Sequence, residues 1–184
     1  MGPSFIKLGQ TMSTRPDLLP PEIIAELKTL QSSVHFVPTD AIRGVIETEL
    51  GKPISQVFDS FDDKPLAAAS LAQVHRAVLK GEPVVLKVQR PDIVEMIELD
   101  TGIMRQLAGL ADRYLPWLYS ANPVGLVDEF AEQIAKELDF RQEANNMRHF
   151  ARQFAGDPTL HVPRLYTELS TKRVITMEYL DGIN

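Results

Sequence analysis

An α+β fold, a small antiparallel sheet with long helices preceded by an all-helical extension, is predicted by three features of the 184-residue sequence. Apolar residues recur at helical spacing as far as about Phe58, the pattern changes to short extended runs from Asp62, and long helical patterns return after Pro91.

Each element has its own signal. Phe5, Ile6 and Leu8 open a short helical segment that the turn at Arg15, Pro16 and Asp17 ends. Pro20 and Pro21 start a helix, since proline in a first turn loses no needed hydrogen bond, and Ile23, Ile24, Leu27 and Leu30 follow at its period. Thr39 or Asp40 is expected to cap the next helix, which carries Ile42, Val45, Ile46 and Leu50 and ends where Gly51 supplies a left-handed residue. Pro65–Ala69, Leu71–Leu79 and Pro83–Gln89 read as extended segments, with Lys80, Gly81 and Glu82 turning the second into the third. Pro91 opens a helix holding Ile93, Ile97, Ile103, Met104 and Leu107. The uncharged stretch Leu115–Val127, broken by Pro116 and Pro123 and containing Trp117 and Tyr119, reads as an inter-helix loop on the core, with membrane-surface contact as the other reading. A long helical pattern then carries Phe130, Ile134, Leu138, Phe150 and Phe154, and Val162–Tyr166 and Arg173–Tyr179 return to strand.

Composition narrows the function. At 44% hydrophobic and 24% charged the chain is an ordinary globular one. Its net charge of −6 offers no basic face for phosphate neutralisation, so nucleic acid is not expected as a partner. The absence of cysteine removes disulfides, thiolate metal sites and thiol catalysis. His35, His75, His149 and His161 are too far apart to form a local ligand pair, and each is read as a packing or surface residue, so no metal site is expected. Met1–Gln10 lacks the basic start and apolar stretch of a secretory signal, and no apolar run approaches the ~20 residues of a membrane span.

The chemistry rests on a few polar residues. Lys87 lies on the opposite strand face from Val84, Leu86 and Val88, and a lysine on a strand otherwise built for burial needs a partner. Ala67, Ala68, Ala69 and Ser70 occupy the hairpin tip that a nucleotide-binding hairpin fills with glycines; the run allows close approach of a ligand or, equally, close packing. Asp139 and Glu143, four apart, share a helix face, whereas Glu137 points away from both. Asp139 followed by Gln142 has the character of a capping box, so one helix ends near Leu138 and another starts at Asp139.

Further short motifs accompany these in order. Lys7, Leu8, Gly9 and Gln10 form a K-x-G-Q sequence, followed by Thr14–Leu19. The alanine loop continues into Gln73, Val74 and His75; Lys87 stands within Leu86–Pro91; Glu137 and Asp139 form E-x-D; Glu143 stands within Gln142–Asn145; Met177, Glu178, Tyr179 and Leu180 are similar to a kinase hinge. Together they resemble the amino-terminal lobe of a protein-kinase-like fold, and specifically the UbiB/AarF family of atypical kinases linked to ubiquinone and prenyl-lipid metabolism, over nearly the whole chain.

That resemblance implies a helical extension over residues 1–60 and a kinase-like lobe over 61–184 ending at the hinge. It implies ATP or ADP as the ligand of Ala67, Ala68, Ala69, Ser70, Lys87, Glu143, Glu178 and Leu180, with Lys87 on the α and β phosphates and paired with Glu143. Lys7 and Gln10, on one face of their helix, would engage Glu137 and Asp139 as a lid across the pocket. The catalytic residues and magnesium ligands of a kinase belong to a carboxy-terminal lobe, so magnesium is expected only with that lobe, and this segment alone is expected to be an incomplete catalytic unit. The implied role is support of ubiquinone or related prenyl-quinone synthesis, cytoplasmic or peripheral at the inner face of a membrane, with a membrane surface or quinone-lipid biosynthetic proteins as partners. A non-catalytic scaffold binding lipid or such a partner is the alternative reading, against which a retained Lys87 and Glu143 argue.

Overall fold

The computed structural model describes Ser4, Phe5, Lys7, residues 36–115 and residues 122–182. They fall into two compact units, one of residues 1–34 and 92–136 and one of residues 35–91 and 137–184. No described helix is long and apolar enough to cross a membrane.

The second unit is built on a five-stranded antiparallel sheet. Helices α1 (Thr39–Leu50) and α2 (Ile54–Val57) precede strands β1 (Ser60–Phe61), β2 (Ala67–Ala68), β3 (Ala72–Leu79) and β4 (Glu82–Gln89); β5 (Val174–Glu178) closes the order β1-β3-β4-β5, with β2 also paired to β3. Alternation gives the sheet two faces. Ala77, Leu79, Val84, Leu86, Val88 and Val174 pack against Ile42, Val45 and Ile46 of α1 and Ile54 and Phe58 to form the main core. The opposite face presents Val74, Lys87 and Ile175 in one cross-strand row.

Gly51 ends α1 as expected, at φ 67° with its N–H on the Glu47 carbonyl, while other local expectations are modified. The residue before α1 is Pro38, and no side chain caps the helix; Thr39 instead donates its hydroxyl to the Asp63 carbonyl at 2.7 Å. The β3–β4 turn needs only Lys80 and Gly81, at φ 52° and 80°, the two positive values of a tight hairpin whose twist matches its strands, and Glu82 already belongs to β4. The Asp59 carboxylate accepts from the Gly81 N–H at 2.8 Å and pins the turn. Val162–Tyr166, read as a strand, contributes only the single bridge Leu165–Met177, because this segment is short of ladder partners and leads into a 3₁₀ turn at Thr167–Leu169.

A buried polar chain fixes the approach to the sheet. Gln73 and His75, both fully buried, lie on the α1 face. The Gln73 side chain accepts from the Val37 N–H at 2.9 Å and donates towards His75 Nε2, 2.9 Å away, while His75 Nδ1 is 2.9 Å from the Asp62 carbonyl. Donation from Nδ1 to that carbonyl leaves Nε2 as the acceptor, so the ring is neutral. Phe61 stacks on it with centroids 5.0 Å apart. Burial, the largest influence, lowers the His75 pKa from its ordinary 6.5. The unfolded chain therefore binds this proton first: the contribution of His75 to stability is complete above about pH 6.5 and is lost as pH falls from there towards the lowered folded value. Melting temperature is expected to drop between pH 7.5 and 5.5, and His75→Phe, which cannot take up a proton, should flatten that dependence even at lower overall stability.

In the first unit, helix α3 (Ile93–Tyr114) buries Ile93, Ile97, Asp100, Thr101, Met104 and Ala108, and helix α4 (Pro123–Glu137) buries Phe130 and Ile134. Arg105 and Asp128 join the two at 2.6 Å. The Ser4 N–H donates to the buried Asp100 carboxylate at 3.2 Å. Pro123–Val127, expected in a loop, form the first turns of α4, where proline fits; residues 116–121 of that stretch lie outside the described residues. Ile103 and Leu107, read with the core residues of α3, are exposed, because the buried face is centred about a quarter-turn away.

Candidate nucleotide-binding site

The sheet face opposite α1 carries Lys87, and Glu143 lies against it, both within the second unit. Lys87 stands on β4 between Val74 of β3 and Ile175 of β5. Against this face lies helix α5 (Phe140–Gln153), which begins where the sequence predicts a break: α4 ends at Glu137, and the Asp139 carboxylate caps the new helix by accepting from the Arg141 N–H at 3.1 Å. The first turn of α5 is fixed by Phe140, 2% exposed, whose ring packs with Ala72 and Ile175. Glu143 follows three residues later on the same face.

The consequence is an ion pair between two elements far apart in sequence. Lys87 Nζ lies 2.6 Å from Glu143 Oε2, and it also stands 5.0 Å from the Phe140 ring centroid. The pair is half-buried, its side chains 28% and 40% exposed, so it is screened and weaker than a fully buried one.

Gln89 and Phe140 have roles that the sequence reading did not assign. Gln89, 1% exposed, donates its side-chain amide to the Leu138 carbonyl and accepts from Arg173 Nε at 3.2 Å, while its backbone N–H donates to the Arg173 carbonyl at 2.9 Å. It thereby ties the end of β4 to the α4–α5 junction. A buried glutamine two residues after Lys87, on the same strand face, is the signal that could have revealed this.

The alanine loop is a short hairpin, Ala67 opposite Val74 and Ala68 opposite Gln73, closed by the Ala69 N–H on the Ala72 carbonyl at 2.8 Å. None of Ala67, Ala68, Ala69 or Ser70 has positive φ, as the cost of a Cβ in the left-handed region requires. The backbone N–H groups of Ser70 and Leu71 at the tip make no hydrogen bond among the described residues.

Other expected residues are placed differently. The Glu178 side chain emerges on the α1 face, where its carboxylate accepts from the Arg164 N–H at 2.9 Å and pairs with His161 Nε2 at 3.0 Å. Those contacts, the Arg164 N–H first, hold its pKa below the ordinary carboxylate value. Leu180 is exposed just beyond β5. Asp139 also pairs with the Arg141 guanidinium at 2.6 Å, and that hydrogen bond lowers its pKa. Glu137 is exposed at the end of α4. Gln10 lies outside the described residues, and Lys7 belongs to the first unit, Asp139 to the second.

A cavity of about 720 Å³ lies at the hairpin-turn end of the α1 face, lined by Leu50, Val57, Leu79, Lys80, Arg164 and Tyr166 among others. It contains neither Lys87 nor Glu143. Lys87 lies on the opposite sheet face, with half-buried Val74 and Met177 beside it.

Residues 29–184 match the model of the ABC1 atypical kinase-like domain. The chain is 45% identical over its full length to "Probable protein kinase UbiB" of Aeromonas hydrophila, covering 34% of that protein. It is 42% identical over its full length to "Protein ACTIVITY OF BC1 COMPLEX KINASE 8, chloroplastic" of Arabidopsis thaliana, covering 24% of it. These relatives are thus about three to four times as long as the chain. Among solved structures it is similar to the Mycobacterium tuberculosis protein Rv3197 in complex with erythromycin, at a TM-score of 0.66 and 30% identity, covering 95% of this chain and 44% of that one.

Proposed function

The chain belongs to the ABC1 atypical kinase-like family, and on that footing we propose that it supplies the nucleotide-holding lobe of an ATP-binding kinase- or ATPase-like protein supporting synthesis of ubiquinone or a related prenyl-quinone lipid. The observation that carries this reading is the half-buried ion pair of Lys87 with Glu143 on the sheet face opposite α1. Glu143 and the Phe140 ring hold the ammonium in place, so little side-chain entropy remains to be lost when it meets the α and β phosphates. The N–H groups of Ser70 and Leu71, which make no hydrogen bond among the described residues, suit a phosphate oxygen, and Val74 and Met177 offer an apolar surface for a base. ATP or ADP thus fits the residues present. When bound, the nucleotide supplies the transferable phosphoryl group; the part of Lys87 is to orient and neutralise the phosphates.

In this reading the alanine loop governs which nucleotide is preferred, because its backbone cannot enter the left-handed region needed to wrap a terminal phosphate. Replacing Ala68 or Ala69 with Gly is expected to change the ratio of ATP to ADP affinity. Calorimetric titration of each variant with both nucleotides at fixed magnesium checks this, and identical ratios throughout would assign the loop to packing alone.

A further inference from the structure

We propose that α3 is a self-association surface that pairs antiparallel with the α3 helix of a second copy of this chain. Met96, Leu99, Ile103, Leu107, Leu110 and Tyr114 follow one another in steps of 3, 4, 4, 3 and 4 residues, an average of 3.6 that keeps them on one line along the helix. All six are exposed, from 40% at Met96 to 69% at Leu99. This line is separate from the face that α3 already buries through Ile97, Thr101, Met104 and Ala108. A continuous apolar line on an exposed helix marks an interaction surface.

The charges on the helix specify the partner and its direction. Glu95 and Arg113 are 18 residues apart, five full turns, so both lie on one flank of the line at opposite ends. In a parallel two-fold pair this flank would face the partner's other flank, so Glu95 and Arg113 would not meet their opposite charges on the copy. An antiparallel copy sets each Glu95 beside the other Arg113, and in the same register Leu99 meets Leu110, Ile103 meets Leu107 and Met96 meets Tyr114. A single dyad near the middle of α3 satisfies all four pairings, as an isologous contact requires. An anionic membrane surface fits less well, since α3 carries four acidic residues and two basic ones.

The test uses the full chain, whose lack of cysteine makes cross-linking clean. Sedimentation should give a concentration-dependent dimer that Leu99→Glu and Leu107→Glu each convert to monomer, with unchanged circular dichroism because both positions are exposed. Glu95→Arg should weaken the dimer, and adding Arg113→Glu should restore it. On oxidation, Met96→Cys protein mixed with Tyr114→Cys protein should form a cross-linked heterodimer, and neither variant should cross-link to itself. Self-cross-linking of each variant alone would overturn the antiparallel register. A monomer at every concentration, or a monomer whose binding to lipid vesicles is abolished by Leu99→Glu, would overturn the proposal, and neither result bears on nucleotide binding at Lys87.

Discussion

Lys87→Met is expected to weaken ATP binding by roughly 10- to 150-fold, the equivalent of the ~1.5–3 kcal/mol that a hydrogen bond to a charged group contributes. The fold should survive. The Lys87–Glu143 pair is partly exposed, so its loss costs about 1 kcal/mol or less, well below the ~3–5 kcal/mol of breaking a buried pair. Methionine keeps most of the aliphatic stem over Phe140, which limits the packing loss further. Glu143→Gln removes the partner charge but keeps the ammonium, and its effect on affinity should be smaller. Calorimetry and thermal melting on the same samples separate the two roles: unchanged affinity with a lowered melting temperature would make Lys87 a structural residue.

The largest effect on stability is expected at Phe140. Phe140→Ala should cost about 3–5 kcal/mol, because the ring is buried between α5 and the sheet against Ala72 and Ile175. Phe140→Leu, which keeps most of the volume, should cost under about 1.5 kcal/mol. Urea denaturation measures both. Since Phe140 fixes the turn that carries Glu143, nucleotide affinity should fall with it. A core change on the opposite face such as Ile46→Val, costing about 0.5–1.5 kcal/mol, should leave affinity untouched. Equal loss of affinity in both variants would mean that Phe140 acts only through global stability.

The main features of the site were legible because local chemistry and tertiary structure agree there. The capping residue Asp139 read correctly, since one residue determines it; the hairpin turn was read one residue too long, at Lys80–Glu82, and the change to extended structure two residues late, since β1 already spans Ser60–Phe61. A lysine on a strand otherwise built for burial signalled the need for a partner, and the family resemblance pointed to Glu143, which the structure places 2.6 Å away. Where tertiary context decides, the pattern alone fell short. The side chain of Glu178 turns to the α1 face because strand alternation is set by the register of β5 on β4, which composition does not encode. Thr39 bonds a carbonyl 24 residues away in place of capping its own helix. The apolar period of α3 carries two faces, and spacing alone could not tell the buried one from the exposed. Gln89 was invisible as an anchor because its partners, Leu138 and Arg173, come from distant parts of the chain.

Backbone amide mapping by NMR during titration with ATP and magnesium tests the central claim most directly. Binding at the proposed site predicts saturable shifts concentrated at Ser70, Leu71, Val74, Lys87 and Met177, and their loss in Lys87→Met. Shifts confined to the cavity of Lys80, Arg164 and Tyr166 on the opposite sheet face, or shifts that persist unchanged in Lys87→Met, would contradict it.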